Sequence, residues 1–111
     1  METSDSAYLL VFTNCPDRKS ATSIATTLLE EKLAACVNVM PEILSLYRWQ
    51  GKQEMTSEVQ LQIKTRSEVL STLQQRITSL HPYDLPEIIA IPIVAGLPAY
   101  LQWIHEETGF E

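Results

Sequence analysis

Three side chains of cation-binding types, His81, Glu87 and Cys15, each sit beside a proline. His81 and Glu87 bracket the stretch His81-Pro82-Tyr83-Asp84-Leu85-Pro86-Glu87. An imidazole and a carboxylate six positions apart on a loop stiffened by two prolines form a place where a divalent cation or a small ligand could sit. Cys15 follows the first apolar run, where a thiolate would be a soft ligand suited to Cu(I). Each residue also has a plainer reading. His81, at the end of a helical pattern, serves equally as a cap or a dipole partner, Glu87 as a solvated charge at a strand start, and Cys15 as a partly exposed thiol without duty. Lys64, Tyr83 and Trp49 are candidate walls of a ligand cleft, Lys64 being the one cation on the polar face of its strand. Tyr47 and Trp49, two positions apart and so on one strand face, also suit the anchoring of a subunit interface.

Catalytic constellations are missing from this inventory. No defensible Ser/His/Asp order, no glycine-rich phosphate loop and no paired-histidine spacing of a zinc hydrolase can be found. Cys15 and His81 would make a nucleophilic pair only with a third group to orient them, which the sequence does not supply. The chain reads as a binding protein rather than an enzyme.

The elements that must hold these residues follow from periodicity. Tyr8-Leu9-Leu10-Val11-Phe12-Thr13 is an apolar run with the composition of a central strand, broken by Asn14-Cys15-Pro16-Asp17. Asp17 is suited to cap a helix whose apolar positions are Ala21, Ile24, Ala25, Leu28, Leu29 and Leu33. Thr65-Arg66-Ser67-Glu68 has the form of a capping box opening a second helix, with Val69, Leu70, Leu73, Ile77 and Leu80 as its stripe and His81 in its last turn. A strand over Glu87 to Ile93 comes next. A short C-terminal helix then starts at Pro98, with Leu97, Tyr100, Leu101, Trp103 and Ile104 on its apolar side.

Between the two longer helical patterns, Ala35 to Thr65 reads as a long β-hairpin turning at Gln50-Gly51-Lys52. Pro41 cannot donate to a ladder and marks a bulge or an interrupted pairing. On the return arm Glu58, Gln60, Gln62 and Lys64 alternate with Val59, Leu61 and Ile63, so one face of that strand is polar and could line a wet interface or pocket. Arms of ~14 residues at ~3.3 Å each reach roughly 45 Å, against a radius of gyration of about 13 Å for a domain of this size. The tip should overhang its own core and expose Tyr47 and Trp49 unless a second copy covers them. Strand, helix, strand, strand, helix, strand is the split βαβ order of a ferredoxin-like α+β fold, an antiparallel sheet with helices on one face.

Composition narrows the partners. The chain has 111 residues, enough for one domain, and 45% of them are hydrophobic. A net charge of -6 argues against nucleic acid and anionic membranes, which are bound through clustered Lys and Arg. No run approaches a membrane span, the first residues lack the basic start and apolar stretch of a secretory signal, and two cysteines are too few for a disulfide scaffold, so a cytoplasmic protein with reduced thiols is expected. Cys36, among small residues, reads as a small buried hydrophobe.

Three ordered segments, Glu31-Lys32-Leu33-Ala34-Ala35-Cys36-Val37-Asn38, Ser45-Leu46-Tyr47-Arg48-Trp49-Gln50-Gly51-Lys52 and His81 to Glu87, resemble the signature segments of the CutA family of divalent cation tolerance proteins. The resemblance runs from about Tyr8 to Trp103. It implies a ferredoxin-like protomer, a tight homotrimer interlocked through the hairpins, a likeness to PII signalling proteins, and an association with copper and other divalent metals. Some family members carry a cysteine, treated as a metal ligand, at the position aligned with Thr13; a threonine hydroxyl is a poor copper ligand, so this chain departs there. The expectation is a homotrimer binding a divalent metal through His81, Glu87 and Cys15. Two alternatives are a PII-like sensor of a small anionic effector that signals to a protein partner, and a structural trimer that anchors other proteins without a ligand.

Overall fold

The computed structural model describes residues 7–109. Strand β1, Tyr8–Cys15, leads into helix α1, Arg18–Glu30; β2, Cys36–Val39, and β3, Ile43–Trp49, then run up to a turn from which β4, Lys52–Arg66, returns. A 3-10 turn, Ser67–Val69, opens α2, Leu70–Leu80, and β5, Ile89–Pro92, and α3, Pro98–Glu107, complete the order. The sheet runs β2-β4-β1-β5, with β1 antiparallel to both of its neighbours and β3 paired to the outer half of β4. This is the ferredoxin-like arrangement.

Alternation along the two central strands builds the core. Val11 of β1 and Leu61 and Ile63 of β4 are fully buried under Ala21 and Leu28 of α1 and Leu73 and Ile77 of α2. Each large apolar side chain so buried contributes about 1.5–3 kcal/mol of transfer free energy, which is why the helices stay on this face. Leu29 falls off the expected stripe and is exposed, because the next turn of α1 turns it to solvent. Asp17 caps α1 as its position suggests, its Oδ1 accepting from the Ser20 amide at 2.8 Å. The expected capping box at Thr65 does not form. Thr65 is still in β4 and donates its hydroxyl to the Leu33 carbonyl at 2.8 Å, while Glu68 pairs with Arg66. Ladder pairing to β1 as far as Arg66 postpones the helix by several residues.

Helix α3 departs from the simple picture of helices on one face. Its Ile104 is fully buried yet stands apart from the main core, and the hydroxyl of Tyr100 meets the side chain of Cys36, which alternation places on the opposite side of the sheet from α1 and α2. Arg66 ties the end of α3 down, giving Nε to the Thr108 hydroxyl at 2.7 Å and a terminal nitrogen to the Thr108 carbonyl at 2.8 Å.

The hairpin is as long as the sequence implies. Gln50 and Gly51 both have positive φ, 51° and 82°, so the turn between Trp49 and Lys52 is of the two-residue type whose twist matches the strands. At Pro41 the ladder slips: Val39 faces Leu61, the Met40 amide reaches the Gln60 carbonyl, and Ile43 faces Glu58, so Pro41 and Glu42 together oppose Val59. That is a β-bulge, placed where proline has no hydrogen to give. The principal extents are 43, 33 and 23 Å, and the radius of gyration is 14.6 Å, longer than a sphere of this chain would be. Along the hairpin Leu44, Leu46, Tyr47, Trp49 and Met55 are all exposed.

Candidate functional site

The polar face of β4 is the floor from which the site rises. Gln62 donates to Gln60, Gln60 to Asn14 of β1, and Asn14 to Glu87, each at 3.2 Å, so a chain of amides crosses from the centre of the sheet to the loop before β5. Two residues nearer the hairpin tip on the same face, Glu58 accepts from the Tyr83 hydroxyl at 2.8 Å. Burial, and then the bond to Glu58, push the Tyr83 phenol well above its ordinary range, so Tyr83 is a lasting donor to that carboxylate. Beyond Glu58, Tyr47 bonds Thr56 through its hydroxyl at 2.9 Å, and Trp49 continues the same face of β3.

These residues enclose a cleft of about 680 Å³ between the hairpin and the loop after α2. Its walls include Tyr47 and Trp49 from β3, the buried Glu58 with Tyr83, and the exposed carboxylates Asp84 and Glu87. Among the described residues no Lys, Arg or His lines it. A carboxylate-rich, aromatic-walled recess of this size suits a cation or a small ligand with a cationic group.

The structure places the seven residues singled out in the sequence very unevenly. Glu87, Tyr83 and Trp49 line one cleft together with Tyr47, which the sequence suggested only as an interface anchor. His81 is not among them. Its ring is buried: Nδ1 accepts the Tyr83 backbone amide at 3.1 Å, so Nε2 carries the proton and donates to the Asn14 carbonyl at 2.7 Å. Both ring nitrogens are occupied in clamping the loop to β1, and a metal could take either only by breaking one of those bonds. His81 also lies just past α2, with extended backbone, rather than within its last turn.

Cys15 requires a second correction. It is the last residue of β1, not part of a loop, and is fully buried on the helix-covered face while its neighbour Asn14 points into the cleft. Burial, with Asp17 and Glu58 adding negative charge nearby, pushes its thiol up to about 11. A protonated, enclosed thiol is a poor metal ligand. Thr13 shares that buried face, and its hydroxyl has no hydrogen-bond partner, so a ligand at position 13 would also point away from Glu87.

Lys64 is the third departure. It lies six residues along β4 from Glu58, roughly 20 Å at ~3.3 Å per residue, and donates to Asn38 with Cys36 at 3.9 Å. Lys64 is therefore no wall of this cleft. Cys36 is partly exposed rather than buried. Conversely, Glu58 and Asp84 line the cleft without having been singled out. The available signal for Glu58 was the alternation itself, in which it is the acid on the polar face.

Among the described residues, no three His, Cys, Asp or Glu side chains are gathered closely enough to hold an ion by themselves. Copper's preferred thiol and imidazole ligands are engaged elsewhere. What remains are carboxylates and a phenol, oxygen donors suited to a hard cation that keeps part of its water shell.

A ferredoxin-like protomer with an overlong hairpin and a carboxylate-lined cleft at its base is the class that fold and site define. Residues 9–107 match the family model described as CutA1 divalent ion tolerance protein, and the chain belongs to that family. Among curated relatives it is 44% identical over 100 residues to the divalent-cation tolerance protein CutA of Thermus thermophilus, covering 90% of this chain and 97% of that one. It is 46% identical over 97 residues to mouse protein CutA, covering 87% of this chain but only 55% of the mouse protein. The chain spans 54% of the human relative and 63% of the Xenopus laevis one. Solved structures agree with the fold. That of CutA from Xylella fastidiosa superposes with a TM-score of 0.91 at 48% identity, over 94% of this chain and 100% of that one. The Thermus thermophilus divalent cation tolerance protein gives 0.90 at 43% identity, over 92% and 99%.

Proposed function

We propose that this protein is a cytoplasmic homotrimer that binds divalent cations in the cleft at the base of its hairpin, as a non-enzymatic member of its family. The observation that carries the reading is Glu58, a carboxylate only 8% exposed, open to a cleft with two more carboxylates and, among the described residues, no basic side chain to balance it. Glu58 and Glu87 would hold the ion, with Tyr83 and Asn14 fixing their positions through the hydrogen bonds already made. One or two carboxylates suffice for a cation that retains water ligands, so the lack of a three-residue cluster is compatible with a hard ion and unfavourable to copper.

The homotrimer is supported by the hairpin. Leu44, Leu46 and Met55 are each more than 60% exposed on an arm that overhangs the core, and interlocking with further copies would cover them. No helix among the described residues is long and apolar enough to cross a membrane. The volume of the cleft favours a second reading, a sensor of a small organic ligand, since 680 Å³ far exceeds the need of a single ion.

Titration calorimetry with Mn²⁺ and Cu²⁺ on the full chain tests the metal reading. E87Q, a substitution at an exposed site, is expected to weaken Mn²⁺ binding ~10-fold, and His81→Ala to leave it within a factor of about 2 wherever the chain stays folded. Unchanged Mn²⁺ affinity in E87Q would remove the cleft from metal binding. Tight Cu²⁺ binding lost in His81→Ala would restore the imidazole as a ligand.

A further inference from the structure

We propose that Cys36 and Lys64 form an oxidation site, in which hydrogen peroxide converts the thiol to a sulfenic acid and the lysine amine then closes on the sulfur as a covalent S–N bridge between β2 and β4.

The register of the sheet sets up the pair. Cys36 and Lys64 stand directly opposite one another where β2 pairs with β4, a position at which Cβ atoms lie about 4.5–5.5 Å apart. The lysine is also held. Its Nζ donates to the side-chain oxygen of Asn38, two residues along the same face of β2, and lies 3.9 Å from Cys36 Sγ. The Tyr100 hydroxyl of α3 meets the same sulfur. Cys36 is partly exposed on an edge strand of the sheet, and partial exposure beside a cationic group is the setting in which a thiol meets oxidants, in contrast to an inert buried one. All four side chains belong to one protomer. Lys64 lies twelve residues along β4 from Lys52 at the turn, roughly 40 Å at ~3.3 Å per residue, so the cluster is at the end of the sheet remote from the overhanging hairpin.

The chemistry takes two steps. In the first, the sulfur attacks one peroxide oxygen: an S–O bond forms, the O–O bond breaks, the thiol proton leaves with the second oxygen as water, and the peroxide is reduced by two electrons taken from sulfur. In the second, the unprotonated Lys64 amine attacks the sulfenic sulfur. An S–N bond forms, the S–O bond breaks, and the departing hydroxide takes one amine proton and leaves as a second water, with no further oxidation. Nitrogen is the condensing group within reach, because the second cysteine of the chain is not. Cys15 is wholly buried on the helix-covered face and pairs with Val59, five residues along β4 from Lys64, too far for a disulfide to Cys36.

The test adds hydrogen peroxide to the full chain in its native assembly and maps the product by tryptic digestion and mass spectrometry, with dimedone in a parallel sample to trap sulfenic acid. Residues 33–48 are expected to be joined to residues 53–66, because trypsin does not cleave after a lysine whose amine is bonded to sulfur. The joined mass should fall about 2 Da below the sum of the two peptides, and dithiothreitol should release them. Lys64→Arg keeps the charge without the amine, and is expected to lose the bridge while dimedone still labels Cys36. Asn38→Ala, which frees Nζ, is expected to lower the bridge yield ~3- to 10-fold at unchanged dimedone labelling, as befits a positioning residue. Unfolding the chain in guanidinium before the peroxide is added should abolish the bridge. Cys36 left unlabelled and unbridged in the native assembly overturns the proposal, as does a sulfenic acid that never passes to Lys64, or a bridge that persists in the unfolded chain.

Discussion

On the side of the sheet under α1 and α2, Val11, Leu61 and Ile63 are wholly buried; on the opposite face of the same strands, Asn14, Gln60 and Gln62 pass hydrogen bonds to one another towards a cleft. The first face is completed by the chain's own helices. The second is completed only in part by α3, and the hairpin carries its polar side outward until it ends in exposed aromatic and aliphatic side chains. Both faces come from one alternating pattern, so the difference is one of partners rather than propensity. A face closed within the protomer becomes core, and a face left open becomes available for ligand or copy.

Truncations on the two sides should therefore part company. Leu61→Ala, at a fully buried site, is expected to cost about 2–5 kcal/mol in urea denaturation. Leu46→Ala, at a site 71% exposed in the protomer, should stay within about 0.5 kcal/mol if nothing covers it. A loss at Leu46 rivalling that at Leu61 would show that the hairpin is buried in an assembly, and light scattering on the same variant would then show a smaller species.

A smaller contrast is set by pH. The Cys15 thiol, on the closed face, is raised from 9.0 to about 11 by burial and by nearby carboxylates. A folded value above the unfolded one means that its contribution to stability is whole below pH 9 and is lost as pH rises towards 11, on the order of 2 kcal/mol. Denaturation at pH 8, 9, 10 and 11 should show this decline, and Cys15→Ala should flatten it. An equal slope in the variant would assign the decline to other groups.

The smallest effect concerns Thr13, whose hydroxyl is buried without a partner. Thr13→Val keeps the shape and removes the orphaned group, with an expected gain of about 1 kcal/mol in the denaturation midpoint analysis. A loss instead of a gain would mean that the hydroxyl has a partner in solution.

Much of this was legible in the chain itself. The apolar run from Tyr8, the stripe of α1, the hairpin turning at Gly51 and the break at Pro41 all follow from local rules, because side-chain period and proline chemistry act over a few residues. The three segments with the family's signature also lie in the sequence for anyone to read. That Glu87, Tyr83 and Trp49 would lie near one another was partly legible, since loop prolines and strand alternation fix where such side chains point, and all three line the cleft.

What the sequence could not decide was which face each residue near a strand end would take and what it would meet there. His81 became a clamp rather than a ligand because the Tyr83 amide and the Asn14 carbonyl, the latter distant in the chain, arrived at its two nitrogens. Cys15 was drawn into the core because β1 ran two residues beyond its apolar stretch. Lys64 and Glu58 share a strand face, yet only Glu58 lies where the hairpin and the loop after α2 converge. Composition and periodicity determined the elements and their sides, through interactions between near neighbours. The tertiary structure alone decided which carboxylate would be enclosed without a counter-charge, because that depends on what residues far apart in the chain bring to the same few ångströms.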